Sequence, residues 1–216
     1  MEINKEYKGL IDEGRRYKIE GDVETTENLQ INLDKELYVS GSIKAGWSIE
    51  AGEAIEAGVY IEAGGYIKAG GAIKAGGAIK AGWSIEAGGA IEAGVYIEAG
   101  GYVEAGGSIE AGGSIKAGGY IEAGGYIKAG GGGGIVTGLY ITCKGELSFG
   151  LRLFAGTCNW REVGEEDKTI TCGKLVNGTI EYGILKETGV EEVKEYSMDE
   201  VAEALGVDVK SLKIKK

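Results

Sequence analysis

Ile43-Lys44-Ala45-Gly46-Trp47-Ser48 is followed by Ile49-Glu50-Ala51-Gly52-Glu53-Ala54 and then by Ile55-Glu56-Ala57-Gly58-Val59-Tyr60. The same six-residue unit continues to Lys128: an aliphatic, a Lys or Glu, Ala, Gly and two variable positions. The aliphatic recurs fifteen times, from Ile43 to Ile127, and Val103 is its single substitution. A period of six is the mark of a β-solenoid, in which each unit is one short strand and a bend. Strand alternation puts Ile61 and Ala63 on one side and Tyr60 and Glu62 on the other. The aliphatic and Ala therefore point inward, the charges point outward, and Gly64 stands where a Cβ would obstruct the chain.

The number of strands per coil follows from which charges would stack. At an 18-residue spacing Lys44, Glu62, Lys80, Glu98 and Lys116 alternate in sign on a first face. Glu50, Lys68, Glu86, Glu104 and Glu122 lie on a second face, and Glu56, Lys74, Glu92, Glu110 and Lys128 on a third. Nine of the twelve stacked pairs are opposite in sign, against six of thirteen at a 12-residue spacing. Opposite charges on neighbouring strands stabilise and like charges destabilise. Side-chain size agrees: Trp47, Gly65, Trp83 and Gly101 alternate large with small, as do Ser42, Tyr60, Ala78, Tyr96 and Ser114. The expected fold is all-β, a single-stranded triangular parallel β-solenoid with 18-residue coils and small α/β caps at both ends.

Ile31 and Leu37 lead into the repeat, and after Gly130–Gly134 the phase slips by two before Ile135, Ile141, Leu147 and Leu153 resume it. This predicts a solenoid over residues 31–156, in about seven coils. Residues 1–30 are expected to form a helical and strand cap, with an amphipathic helix over 2–16. Residues 157–216 are expected to form a second cap. It would hold a hairpin turning at Val176-Asn177-Gly178 and a short helix opened by the capping box Ser197-Met198-Asp199-Glu200.

Composition narrows function. The 216 residues include 42 glycines, no proline, no histidine and three cysteines, with a formal charge of −11. Absent histidine removes the commonest general base and metal ligand. The acid excess repels nucleic acid and anionic membranes and favours a basic surface on a protein partner. No stretch approaches the ~20 apolar residues of a membrane span, and the N-terminus lacks the apolar core of a secretory signal. An odd cysteine count without CxxC fits a reducing, cytoplasmic setting. Cys143 takes the inward place that Ala fills elsewhere and reads as core. The glycine runs lack the Lys-Ser of a P-loop, and the bends lack the Asp of a calcium roll. No catalytic, cofactor or metal site is expected.

The repeat resembles the hexapeptide-repeat, left-handed β-helix families, whose members include acyltransferases and γ-class carbonic anhydrases. The phase differs, since Ala here follows the aliphatic by two, and the histidines those chemistries use are missing. The runs like GSIKAGWSIEAG, joined to the tail from Cys143-Lys144-Gly145-Glu146-Leu147 to Leu153-Phe154-Ala155-Gly156-Thr157-Cys158-Asn159-Trp160, are more similar to glycine-rich repeat proteins of phages and prophages of Gram-positive bacteria. That resemblance implies a phage accessory protein of a kind that often inhibits bacterial defence.

Two surface features are candidate protein-binding elements. Glu86, Glu104 and Glu122 with Glu92 and Glu110 make an acidic stripe. Trp47, Trp83, Tyr60, Tyr96, Tyr66 and Tyr102 make an aromatic ladder near two bends. The first expectation is a non-catalytic inhibitor whose acidic rod fills a basic nucleic-acid groove of a defence effector, of anti-CRISPR or anti-restriction type. The alternatives are a structural module assembling as a homo-oligomer, trimer or fibre, and a small-ligand (nucleotide) sponge.

Overall fold

The computed structural model describes residues 1–189 and contains 27 strands with one 3₁₀ turn, Glu166–Lys168. The protein is a parallel β-solenoid with three strands per coil. Within the repeat each strand hydrogen-bonds to the strand three further along, so Ile61 registers with Ile43 on one side and Ile79 on the other. Over the perfect repeat this is an 18-residue coil, as the charge pattern requires. The column through Ile49–Ala51 holds ten strands, from Glu2–Ile3 to Ile184–Glu187, and sets the length at about ten coils.

Three-residue strands are enough because their neighbours are identical. Every aliphatic and every Ala of the repeat is buried, the Ile residues at 0–1 % exposure. The core is thus a continuous column of Ile over Ile and Ala over Ala rather than a centre wrapped by layers. The inward side chains of all columns form one buried cluster that needs the coils above and below to close it, which is why one unit alone has no stability.

The invariant glycine has a specific steric cause. Its φ is not positive anywhere in the repeat, so no left-handed turn requires it. Instead, a Cβ on Gly64 would overlap the carbonyl oxygen of Gly46, and one on Gly82 would overlap that of Gly64. The glycines stack on one another, and the close approach of successive bends excludes any side chain.

Outside the perfect run the coils differ from expectation. The solenoid is not confined to residues 31–156, because Tyr17–Ile19, Val23–Thr25 and Leu29–Ile31 already register with Leu37–Val39, Ile43–Ala45 and Ile49–Ala51. Leu29, not Ile31, takes the aliphatic position, and Ile31 stands opposite Ala51. A two-residue insertion before Leu37 hides this phase, mirroring the slip after Gly130. The expected helix over 2–16 is absent. Glu2–Ile3 joins the end of one column, and Ile11–Asp12 turns back antiparallel onto Tyr17-Lys18. The Asp12 carboxylate accepts from the Gly14 N–H at 2.8 Å and Gly14 adopts φ +86°, a turn that a helix cannot contain.

At the other end Ile135, Ile141, Leu147 and Leu153 resume the columns as expected. The hairpin at 176–178 is replaced by one long strand, Lys174–Tyr182, parallel to Glu146–Phe154. Gly178 carries φ +112°, and the buried Phe149 ring occupies the space its side chain would need. The Asn177 side chain donates to the Phe149 carbonyl at 3.2 Å. The Asn-Gly pair thus seats an aromatic ring from the preceding coil instead of reversing the chain. The capping-box helix at 197–206 lies outside the described residues.

Candidate functional site

The carboxylates of the acidic stripe are held by strand register. Glu86, Glu104 and Glu122 are direct neighbours on the second face, and Glu92 and Glu110 on the third. The bend between these faces is rich in glycine, with Gly71, Gly89, Gly107 and Gly125 stacked after Glu53 beside the small Ala72, Ala90 and Ser108, and only Tyr126 projects a large side chain there. Lysine closes three of the row's four ends, with Lys68 Nζ 2.7 Å from Glu86, Lys74 3.2 Å from Glu92 and Lys128 2.6 Å from Glu110, while Glu122 has Thr142 beyond it. The first face instead alternates throughout, with Lys44–Glu62 and Lys116–Glu98 both at 3.5 Å.

A tyrosine stack borders this row. Tyr102, Tyr120 and Tyr140 lie in consecutive coils with ring centroids 4.9 and 5.0 Å apart and planes within 2°. Tyr120 donates its hydroxyl to Glu104 at 3.1 Å, and Tyr102 to Glu86 at 3.5 Å. Tyr126 on the third face does the same to Glu110 at 2.9 Å. In each case a tyrosine preceding a strand reaches the glutamate at the middle of the strand in the coil before. Burial, then the neighbouring carboxylates, push the Tyr102, Tyr120 and Tyr140 hydroxyls above the ordinary phenol range. The hydroxyls give the carboxylates hydrogen-bond donors without neutralising them.

The expected aromatic ladder is divided between two bends. Trp47 and Trp83 stand two coils apart, each 61 % exposed, with Gly65 between them. They share their bend with Tyr66 and Tyr102, which face each other across Ser84. An open cavity of about 410 Å³ lies there, lined by Tyr66, Lys68, Trp83, Ser84, Glu86 and Tyr102. Tyr60 and Tyr96 belong to the first face and stand across Ala78, with Val59 and Val95 exposed beside them. The gap between them holds about 280 Å³ and is lined by Tyr60, Glu62, Ala78, Lys80, Val95 and Tyr96. The rings that do stack, Tyr120 and Tyr140, were missed because expectation favoured alternation. The signal was three successive tyrosines at the residue before the aliphatic, two of them separated by the slip.

Cys143 registers with Ala123 and is buried, as expected for the Ala position. Burial, with a smaller contribution from Cys172, pushes its thiol up to about 12, and burial also raises Cys172. Neither is an activated nucleophile. Among the described residues no group of three His, Cys, Asp or Glu is placed to hold a metal, and no helix is long and apolar enough to cross a membrane. No protein-family model matches the chain, and neither a curated protein nor a solved structure matches it.

Proposed function

We propose that this is a non-catalytic binding protein that presents its carboxylate-flanked glycine ridge to a basic groove on a partner protein. The observation that carries the reading is the direct stacking of Glu86, Glu104 and Glu122 beside Glu92 and Glu110. Like charges in neighbouring strands cost stability, and the first face of the same molecule avoids them by alternation. A surface selected for stability alone would alternate on every face. The low, glycine-rich ridge supports the same reading, since it lets a narrow groove reach the carboxylates on both sides over the coils before Tyr126. The finer proposal, drawn from the phage-type resemblance, is an inhibitor of a bacterial defence effector that binds nucleic acid, acting in the host cytoplasm.

The test is Glu104→Lys, which turns both like-charge pairs of the second face, Glu86/Glu104 and Glu104/Glu122, into opposite ones. Reversing the central charge of the stack is expected to abolish capture of a nucleic-acid-binding protein from host lysate. Capture that a polyanion does not compete, or equal capture by the variant, would refute the reading. Plaque counts on hosts with and without defence systems test the finer proposal.

A further inference from the structure

The gap between Tyr60 and Tyr96 differs from ordinary surface roughness in having a hydrogen-bond acceptor at its inner edge. Tyr66, Tyr102, Tyr120 and Tyr126 each donate to the glutamate sixteen positions earlier, at 2.9–3.5 Å. The same geometry applied to Tyr60 and Tyr96 meets Lys44 and Lys80, which accept nothing. Applied to position 78 it meets Glu62, but residue 78 is alanine. Glu62 is therefore the one glutamate of the first face whose matching rung lies between two tyrosines and carries no ring. Its ion pair with Lys44 at 3.5 Å does not use up its acceptors. Glu110 takes Lys128 at 2.6 Å and Tyr126 at 2.9 Å together.

The space fits the same occupant. Tyr60 and Tyr96 are two coils apart, about 10 Å at strand spacing. In the closed stack, one ring lies at 4.9 Å from one neighbour and 5.0 Å from the other. Ala78 forms the floor, and Val59 and Val95, both about half exposed, flank the entrance on either side of Gly77. Entry of one ring would cover these apolar surfaces and complete the acceptor pattern at once.

We propose that this gap is a binding slot for a single tyrosine side chain of a partner protein, stacked between Tyr60 and Tyr96 with its hydroxyl donating to Glu62. The slot depends on the binding-protein reading only in requiring a protein partner. It lies on the alternating face, away from the acidic ridge, so the two can fail separately.

The probes are three blocked pentapeptides, Gly-Gly-X-Gly-Gly with X as Tyr, Phe or Leu, titrated against methyl-labelled protein by NMR. The Tyr peptide is expected to shift the Val59, Ala78 and Val95 methyls and to bind about fivefold tighter than the Phe peptide, the worth of one hydrogen bond. Ala78→Tyr fills the slot from within, as Tyr120 fills the closed stack, and is expected to abolish those shifts with the far-UV spectrum unchanged. Should that variant not fold, Glu62→Ala is expected to erase the Tyr-over-Phe preference. Equal binding of Tyr and Phe, shifts mapping elsewhere or no saturable shift would overturn the slot. So would shifts on concentrating the protein alone, which assign the occupant to a second copy. Glu104→Lys should leave peptide binding unchanged.

Discussion

Tyr102, Tyr120 and Tyr140 close a stack, whereas Tyr60 and Tyr96 look at each other across an alanine. Both rows stand on the same kind of strand, with a buried aliphatic and a small inward residue beneath and a glycine-containing bend beside them. The rows differ in which residue precedes the aliphatic in successive coils and in the charge that a ring there would meet. Where tyrosines follow one another, the rings cover each other, and the Tyr102 and Tyr120 hydroxyls engage the carboxylates of the coil before. Where a small residue intervenes, ring faces and a carboxylate stay open to solvent. The fold thus fixes the rungs, and their occupancy decides whether a row serves the molecule's own cohesion or is left for a second molecule.

The largest way to break the comparison is to remove the backbone spacing common to both rows. In Gly118→Val the new Cβ meets the Gly100 carbonyl directly beneath the closed stack. The expected loss is about 3 kcal/mol or more, read as a fall in thermal midpoint, because backbone cannot move aside as a side chain can. Next is the stack itself. Tyr120→Ala removes two ring contacts and the hydrogen bond to Glu104, and is expected to cost about 2 kcal/mol in urea unfolding. Tyr96→Ala, with no ring neighbour, should cost less than about 1 kcal/mol. Equal losses would mean that stacking contributes nothing. Smaller still, Ala78→Tyr converts the open row to a closed one and should gain about 0.5–1 kcal/mol.

The last prediction concerns pH. The Tyr102, Tyr120 and Tyr140 hydroxyls are raised in the folded chain above the ordinary phenol value. A raised phenol keeps its proton longer folded than unfolded, so the stack's contribution is whole below pH about 10 and is lost as pH rises beyond it. Titrating the phenolate absorbance should show part of the twelve tyrosines ionising late, and Tyr120→Phe should shrink that late fraction. If all tyrosines ionise together, the stack does not shield its hydroxyls.

The perfect run was legible because its period never breaks: the strand register, the inward Ile and Ala, and the three charge columns all follow from spacing. The ends were not. Leu29 sits eight residues before Leu37, so a six-residue count lands on Ile31 and misreads an alanine place as an aliphatic one. Asn177-Gly178 has the composition of a tight turn, and nothing local reveals that Phe149 from the coil before needs the room. The acidic row was legible residue by residue, since it depends on the same 18-residue step. The acceptor at Glu62 was not, because it depends on a side chain reaching diagonally into the previous coil, and the closed stack was obscured by the two-residue slip between Tyr120 and Tyr140.

The duplicated AGWSIEAG at residues 45–52 and 81–88 lies two whole coils apart. Recombination between the two copies would excise 36 residues and leave every remaining strand in register, with Trp47 meeting Gly101. Excising one coil, residues 65–82, would instead set Trp47 directly against Trp83. A gene of this design can therefore lengthen or shorten its product like a ruler marked in pairs of coils, while both ends keep their own structure.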